Sequence, residues 1–137
     1  MKLCSACLLG VNCRYDGKNK ANEKVLELSK KEKLIPVCPE QLGGLPTPRT
    51  KSEILDGKVI TEKGEDVTEK FQKGAEETLK IAKENNITEA ILKQESPSCG
   101  CGKIHDGTFS GKVIEDWGIT VDSLRKNGIK VISEEEI

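Results

Sequence analysis

The chain of 137 residues carries 22 basic and 23 acidic side chains for a net charge of −1, with 35% apolar and 33% charged residues. This length suits one domain around a small aliphatic core, and the charge balance excludes a global field that steers toward nucleic acid or anionic membranes. No apolar run approaches membrane-spanning length, and a strand begins within the first residues without room for a secretory leader, so the expected location is cytoplasmic and free of membrane.

In chain order, a short aliphatic strand ends near Ser5. Around NEKVLELSKKEK, the residues Ala21, Val25 and Leu28 share one face of a surface helix. LIPV at 34 to 37 reads as a buried strand, and the Gly/Pro-rich stretch Pro36–Thr50 follows. Residues 39 to 64 read as an insertion without a defined form, in which KSEILDGKVITEKGED could hold a small hairpin around Asp56-Gly57. A longer helix runs through DVTEKFQKGAEETLKIAKENN, striped by Val67, Phe71, Ala75, Leu79 and Ala82. Asp66 or Thr68 caps it, and Asn85 or Asn86 ends it. AILK at 90 to 93 is a third strand; Thr120 caps a last helix, VDSLRKN; Gly128 stops that helix before the strand IKVI at 129 to 132. Alternating strands and helices predict an α/β fold over residues 1–137: one domain with a largely parallel sheet flanked by helices, Rossmann- or flavodoxin-like.

The six cysteines follow this frame. In a reducing compartment they serve as metal ligands or reactive thiols more often than as disulfides. Cys7 follows the first strand, Cys38 closes the second and Cys99 follows the third. In parallel sheets, ligands lie beyond the carboxyl ends of the strands, so these three thiols are expected at one rim. Three thiolates leave one position of a metal centre open, and an iron-sulfur cluster held this way exposes one iron as a Lewis acid. Gly43, Gly44 and Gly100 are candidates for close backbone approach to that group. Glu40, two residues after Cys38, is a candidate general base, and Ser96, three residues before Cys99, a candidate hydrogen-bond donor or proton relay.

The segments SACLLGVNCRYDG, VCPEQLGGLPTPR, DVTEKFQKGA and KQESPSCGCGKIHDGTFSG resemble the thiouracil desulfidase family over nearly the whole chain. The resemblance implies a 4Fe-4S cluster on Cys7, Cys38 and Cys99 with the fourth iron open. It also implies non-redox removal of sulfur from a thiolated pyrimidine, a small-molecule substrate, with Glu40 activating water and Ser96 assisting.

Blander readings stand beside these. Free cysteines pack as small hydrophobes, which is the expectation for Cys4 inside its strand. Cys13 and Cys101 have no assigned role, and Cys101, on a glycine-flanked loop, is the spare thiol most able to swing toward the centre. Arg14, Asp16 and Arg49 read as salt-bridged loop residues, His105 as a loop histidine, and Trp117 and Phe109 as packing residues or stacking platforms for a flat base. Competing functions are desulfuration of a thiolated uridine in tRNA, which needs a basic track for phosphates and is disfavoured by the near-zero net charge, and a zinc module on Cys4, Cys7, Cys99 and Cys101. Thiol-disulfide exchange at Cys4-Ser5-Ala6-Cys7 ranks last, because a loop follows the pair instead of a helix.

Overall fold

The computed structural model describes residues 1–137. Four short strands, β1 (Lys2–Ser5), β2 (Leu34–Val37), β5 (Glu89–Leu92) and β8 (Lys130–Ser133), form one parallel sheet in the order β2-β1-β5-β8. Two antiparallel ribbons, β3 (Ser52–Leu55) with β4 (Lys58–Thr61) and β6 (Ile104–His105) with β7 (Val113–Ile114), lie outside it. The β3–β4 turn is the expected hairpin: Asp56 and Gly57 both take positive φ, as a two-residue loop of this kind requires.

Side-chain alternation along the central strands divides the core into two layers. Leu3, Ala90 and Leu92 face helices α3 (Thr68–Glu84) and α4 (Ile119–Lys126), packing with Ala82, Val121 and Leu124. Cys4 and Ile91 face the other way, toward Val25 of α1 (Glu23–Lys31). Helices thus cover both faces, which is why the strands read as continuous apolar runs.

The helix ends follow local chemistry. Asn22 caps α1 by accepting the Val25 N–H at 3.1 Å. Asp66 accepts the N–H of Thr68 at the start of α3. Both α3 and α4 close with paired reverse bonds: Ile87 N–H to Ala82 and Asn86 N–H to Lys83, then Ile129 N–H to Leu124 and Gly128 N–H to Arg125. Asn86 and Gly128 supply the left-handed residue in each. Ile129 is thereby committed to the helix end, and the last strand starts one residue later than its apolar run suggests.

Two sequence expectations are corrected. Thr120 does not cap α4: it lies inside the helix, fully buried, with its Oγ1 unpartnered. The first amides of α4 are instead satisfied by main-chain carbonyls, Ile119 by Pro97 and Thr120 by Ser98. The second correction concerns the glycines. A Cβ on Gly43 would lie 2.0 Å from the Lys70 carbonyl oxygen, and one on Gly100 2.5 Å from that of Lys103, while Gly44 has open space around it. Gly43 and Gly100 make close approaches within the protein, and Gly44, at φ +94°, serves a turn.

Gly43 also explains a helix that the loop-like composition hid. Pro39 at the first helical position starts a single turn, α2 (Pro39–Leu42), and Gly43 lets it lie directly on α3, where Gly74 makes the reciprocal approach to the Pro39 carbonyl.

Candidate active site

The chain passes from β1 to β2 on one side of the sheet and later returns to β5 on the other side of β1. This reversal makes the carboxyl ends of β1 and β5 the switch point where α/β folds bind ligands. A cavity of about 280 Å³ opens there, lined by Cys7, Cys13, Cys38 and Cys99 together with Glu40, Ser96 and Ser98. The three cysteines expected at one rim are therefore on the wall of one cavity.

Each arrives differently. Cys7 sits in a 3-10 turn, Ala6–Leu9, directly after β1. Cys38 is the residue before α2, and its Sγ donates to the Cys13 carbonyl at 3.6 Å. Cys99 is held in a turn built on Ser96, whose Oγ accepts the N–H groups of Ser98 and Cys99 at 3.1 and 3.2 Å. The Gln94 side-chain amide staples the following residues by accepting the Cys101 N–H and donating to the Cys101 carbonyl. The α4 amides hold Pro97 and Ser98 from behind, and Gly118 leaves no room for a Cβ against the Ser98 carbonyl.

Beside the thiols runs a continuous polar chain. Arg49 Nε donates to Glu40 Oε1 at 3.1 Å, with side chains only 5% and 15% exposed. Ser98 Oγ donates to Glu40 Oε2 at 3.0 Å and lies 2.9 Å from Ser96 Oγ. Since Ser96 Oγ already accepts two amides, its own proton is free for Ser98, whose proton then points to Glu40. The order is Ser96 to Ser98 to Glu40 to Arg49. Glu40 and Ser96 were expected here; Ser98, the link between them, was not. Its neighbours in sequence, a proline and a cysteine, give no signal for it.

Burial pushes the Cys99 thiol up to about 12, opposed by hydrogen bonds from Ser5 and Ser98. The contact with Cys13, then burial, pushes the Cys38 thiol up. Both thiols stay protonated at neutral pH although Arg49 and other cations line the cavity, so binding iron there would release protons.

Other candidates fall where the plainer readings put them. Arg49 is ion-paired to Glu40, and Arg14 lies 3.7 Å from Asp16. His105 departs from that reading: it lies in β6 and not in a loop, and it lines the cavity with a buried, unpartnered Nδ1. Trp117 packs in the core beneath Arg125, 3.7 Å from its ring centre, and Phe109 donates its N–H to buried Glu53; neither lines the cavity. Tyr15, which sequence reading passed over, does line it. Cys4 is fully buried in the core as expected, but the spare-thiol expectation is corrected: Cys101 Sγ donates to the Val131 carbonyl at 3.3 Å, away from the cavity, and Cys13 occupies the wall instead. All six cysteines are free.

No three Cys, His, Asp or Glu side chains converge as a single metal ion requires. A zinc ion needs its sulfurs at about 2.3 Å from one point, and the proposed quartet of Cys4, Cys7, Cys99 and Cys101 is not gathered. Thiols spread around a cavity instead match a multinuclear cluster, each of whose irons takes its own thiolate.

Fold and site together define a small parallel α/β protein with a thiol-walled pocket at its switch point, backed by a buried carboxylate. The chain belongs to the 2-thiouracil desulfurase family, whose sequence model matches residues 3–136. It is 47% identical to the uncharacterized protein YbbK of Bacillus subtilis (strain 168), an alignment covering 100% of this chain and 97% of that protein. A solved structure described as the [4Fe-4S]-dependent thiouracil desulfidase TudS superposes with a TM-score of 0.94 at 42% identity, over 99% of this chain and 91% of that one. No helix is long and apolar enough to cross a membrane.

Proposed function

We propose that this protein is an iron-sulfur-dependent desulfidase that converts a free thiolated pyrimidine of the thiouracil type into its oxo form and sulfide. The reading is carried by Cys7, Cys38 and Cys99 on one cavity wall beside the Ser96–Ser98–Glu40 chain. It is supported by the likeness to a desulfidase described as [4Fe-4S]-dependent. Overall, C=S plus water gives C=O plus hydrogen sulfide, with no net electron transfer.

Cys7, Cys38 and Cys99 would hold the cluster, which when bound supplies a Lewis-acidic iron to polarise a thiocarbonyl. The remaining work falls to side chains of this chain. Glu40, oriented by Arg49 through one oxygen, takes a proton from the attacking water through the other. Ser98, bonded to Glu40 and 3.5 Å from the Cys99 sulfur, would carry that proton on to the departing sulfide, with Ser96 donating to Ser98 from behind. The walls around Cys7, Cys13 and Cys99 are buried, which limits bulk water near the reacting carbon.

The test is anaerobic purification with iron, acid-labile sulfide and zinc analysis, followed by incubation with 2-thiouracil and no reductant. About four irons per chain, equimolar uracil and sulfide, and loss of turnover with retained iron in Glu40→Gln are expected. Stoichiometric zinc without iron, or an absolute need for an electron donor, overturns the proposal.

A further inference from the structure

We propose that Cys13 is a displaceable fourth thiol of the centre, capping the open iron when no substrate is present and yielding its place to the substrate sulfur. The proposal rests on the cluster assignment above and concerns a residue to which that assignment gives no task. Cys13 is 2% exposed and lines the same cavity as Cys7, Cys38 and Cys99. It follows Cys7 by six residues and lies on the same wall as Cys38, whose Sγ donates to the Cys13 carbonyl at 3.6 Å.

Its backbone is fixed to the site. The Cys13 carbonyl accepts from Arg49 Nη2 at 2.9 Å and from Cys38 Sγ at 3.6 Å, so the guanidinium that orients Glu40 also anchors Cys13. The loop carrying it is folded back onto the first strand end by Lys20 N–H to the Cys7 carbonyl and Asn22 N–H to the Leu8 carbonyl. Asn19 Nδ2 donates to Asn12 Oδ1 at 2.9 Å and closes that loop on itself.

A buried thiol on the wall that carries the three proposed cluster ligands has two roles open to it, packing or ligation. A permanent fourth thiolate would block a thiocarbonyl, whereas a displaceable one protects the iron between turnovers. In the exchange the iron–Cys13 sulfur bond breaks, the iron–substrate sulfur bond forms, and Cys13 takes a proton from solvent; the electron count does not change.

The test uses anaerobically reconstituted wild-type, Cys13→Ala and Cys13→Ser proteins, matched for iron content and treated with ferricyanide. Oxidative loss of an uncapped iron leaves a three-iron cluster with its own electron paramagnetic resonance signal. Conversion at least tenfold faster in both variants than in the wild type is expected. In the wild type, thiouracil should raise alkylation of Cys13 by iodoacetamide, read by mass spectrometry, at least tenfold. Equal conversion in all three proteins overturns the role of Cys13 and leaves the cluster assignment standing. Failure of the variants to assemble any cluster overturns displaceability, and failure of all three to take up iron overturns both readings.

Discussion

Arg49 holds Glu40 through one carboxylate oxygen only, at 3.1 Å, and leaves the other to Ser98. Nη1 of the same guanidinium donates to the Pro46 carbonyl and Thr47 Oγ1, so the fork is pinned on several sides. A lysine cannot reproduce that planar geometry. Arg49→Lys should retain iron yet lower kcat by roughly 100-fold through misplacement of the carboxylate, measured as uracil release at matched cluster content.

Ser96 and Ser98 differ in what else they do. Ser98→Ala removes the link between Ser96 and Glu40 and the 3.5 Å contact to the Cys99 sulfur but strands no backbone amide, so activity should fall while stability changes little. Ser96→Ala also strips the acceptor from the Ser98 and Cys99 amides. It should cost about 1–3 kcal/mol of stability for the stranded donors. Paired urea unfolding and turnover measurements separate the two patterns.

Where Gly74 faces α2, a Cβ would lie 2.0 Å from the Pro39 carbonyl oxygen. Gly74→Ala must therefore push α2, and Glu40 with it, off α3. A loss of about 1–3 kcal/mol is expected from overpacking, accompanied by a drop in turnover in the fraction that remains folded at low urea.

Thr120 Oγ1 is buried without a partner. Thr120→Val replaces the hydroxyl with a methyl of similar shape and should stabilise the protein by about 1 kcal/mol. Thr120→Ser keeps the orphan and loses a packed methyl, so it should destabilise; urea midpoints at constant slope decide.

Burial raises the Cys4 thiol from 9.0 to about 12. Below 9.0 both folded and unfolded chains keep this proton, and its contribution to stability is fully present. Between those values the unfolded chain releases it first, so stability falls as pH rises, by about 1.4 kcal/mol per unit for this thiol. Cluster-free Cys4→Ala should show a correspondingly shallower alkaline decline in urea unfolding from pH 9 to pH 12.

The four central strands, the helices α1, α3 and α4 and the turn at Asp56-Gly57 were legible because apolar periodicity and turn residues are local signals. The α2 turn was not, since PEQL sits in a stretch with loop composition and is held by a glycine contact to α3. Thr120 looks like a cap because its residue type favours one; the helix starts one residue earlier, so the Asp122 amide that such a cap would serve goes to the Gly118 carbonyl. At the site, Cys7, Cys38 and Cys99 could be placed from strand ends alone. Choosing Cys13 over Cys101 required knowing how the loop after the first strand folds back, and that depends on bonds such as Lys20 to Cys7.

The switch point draws one sulfur from each of three strand ends, at Cys7, Cys38 and Cys99. Until β5 has docked beside β1, an emerging polypeptide presents only part of this set, separated from the rest by a long unformed segment. With Cys7, Cys38 and Cys99 as the proposed holders, a half-made molecule would lack part of the nest for the cofactor, and loading would follow the docking of β5 beside β1.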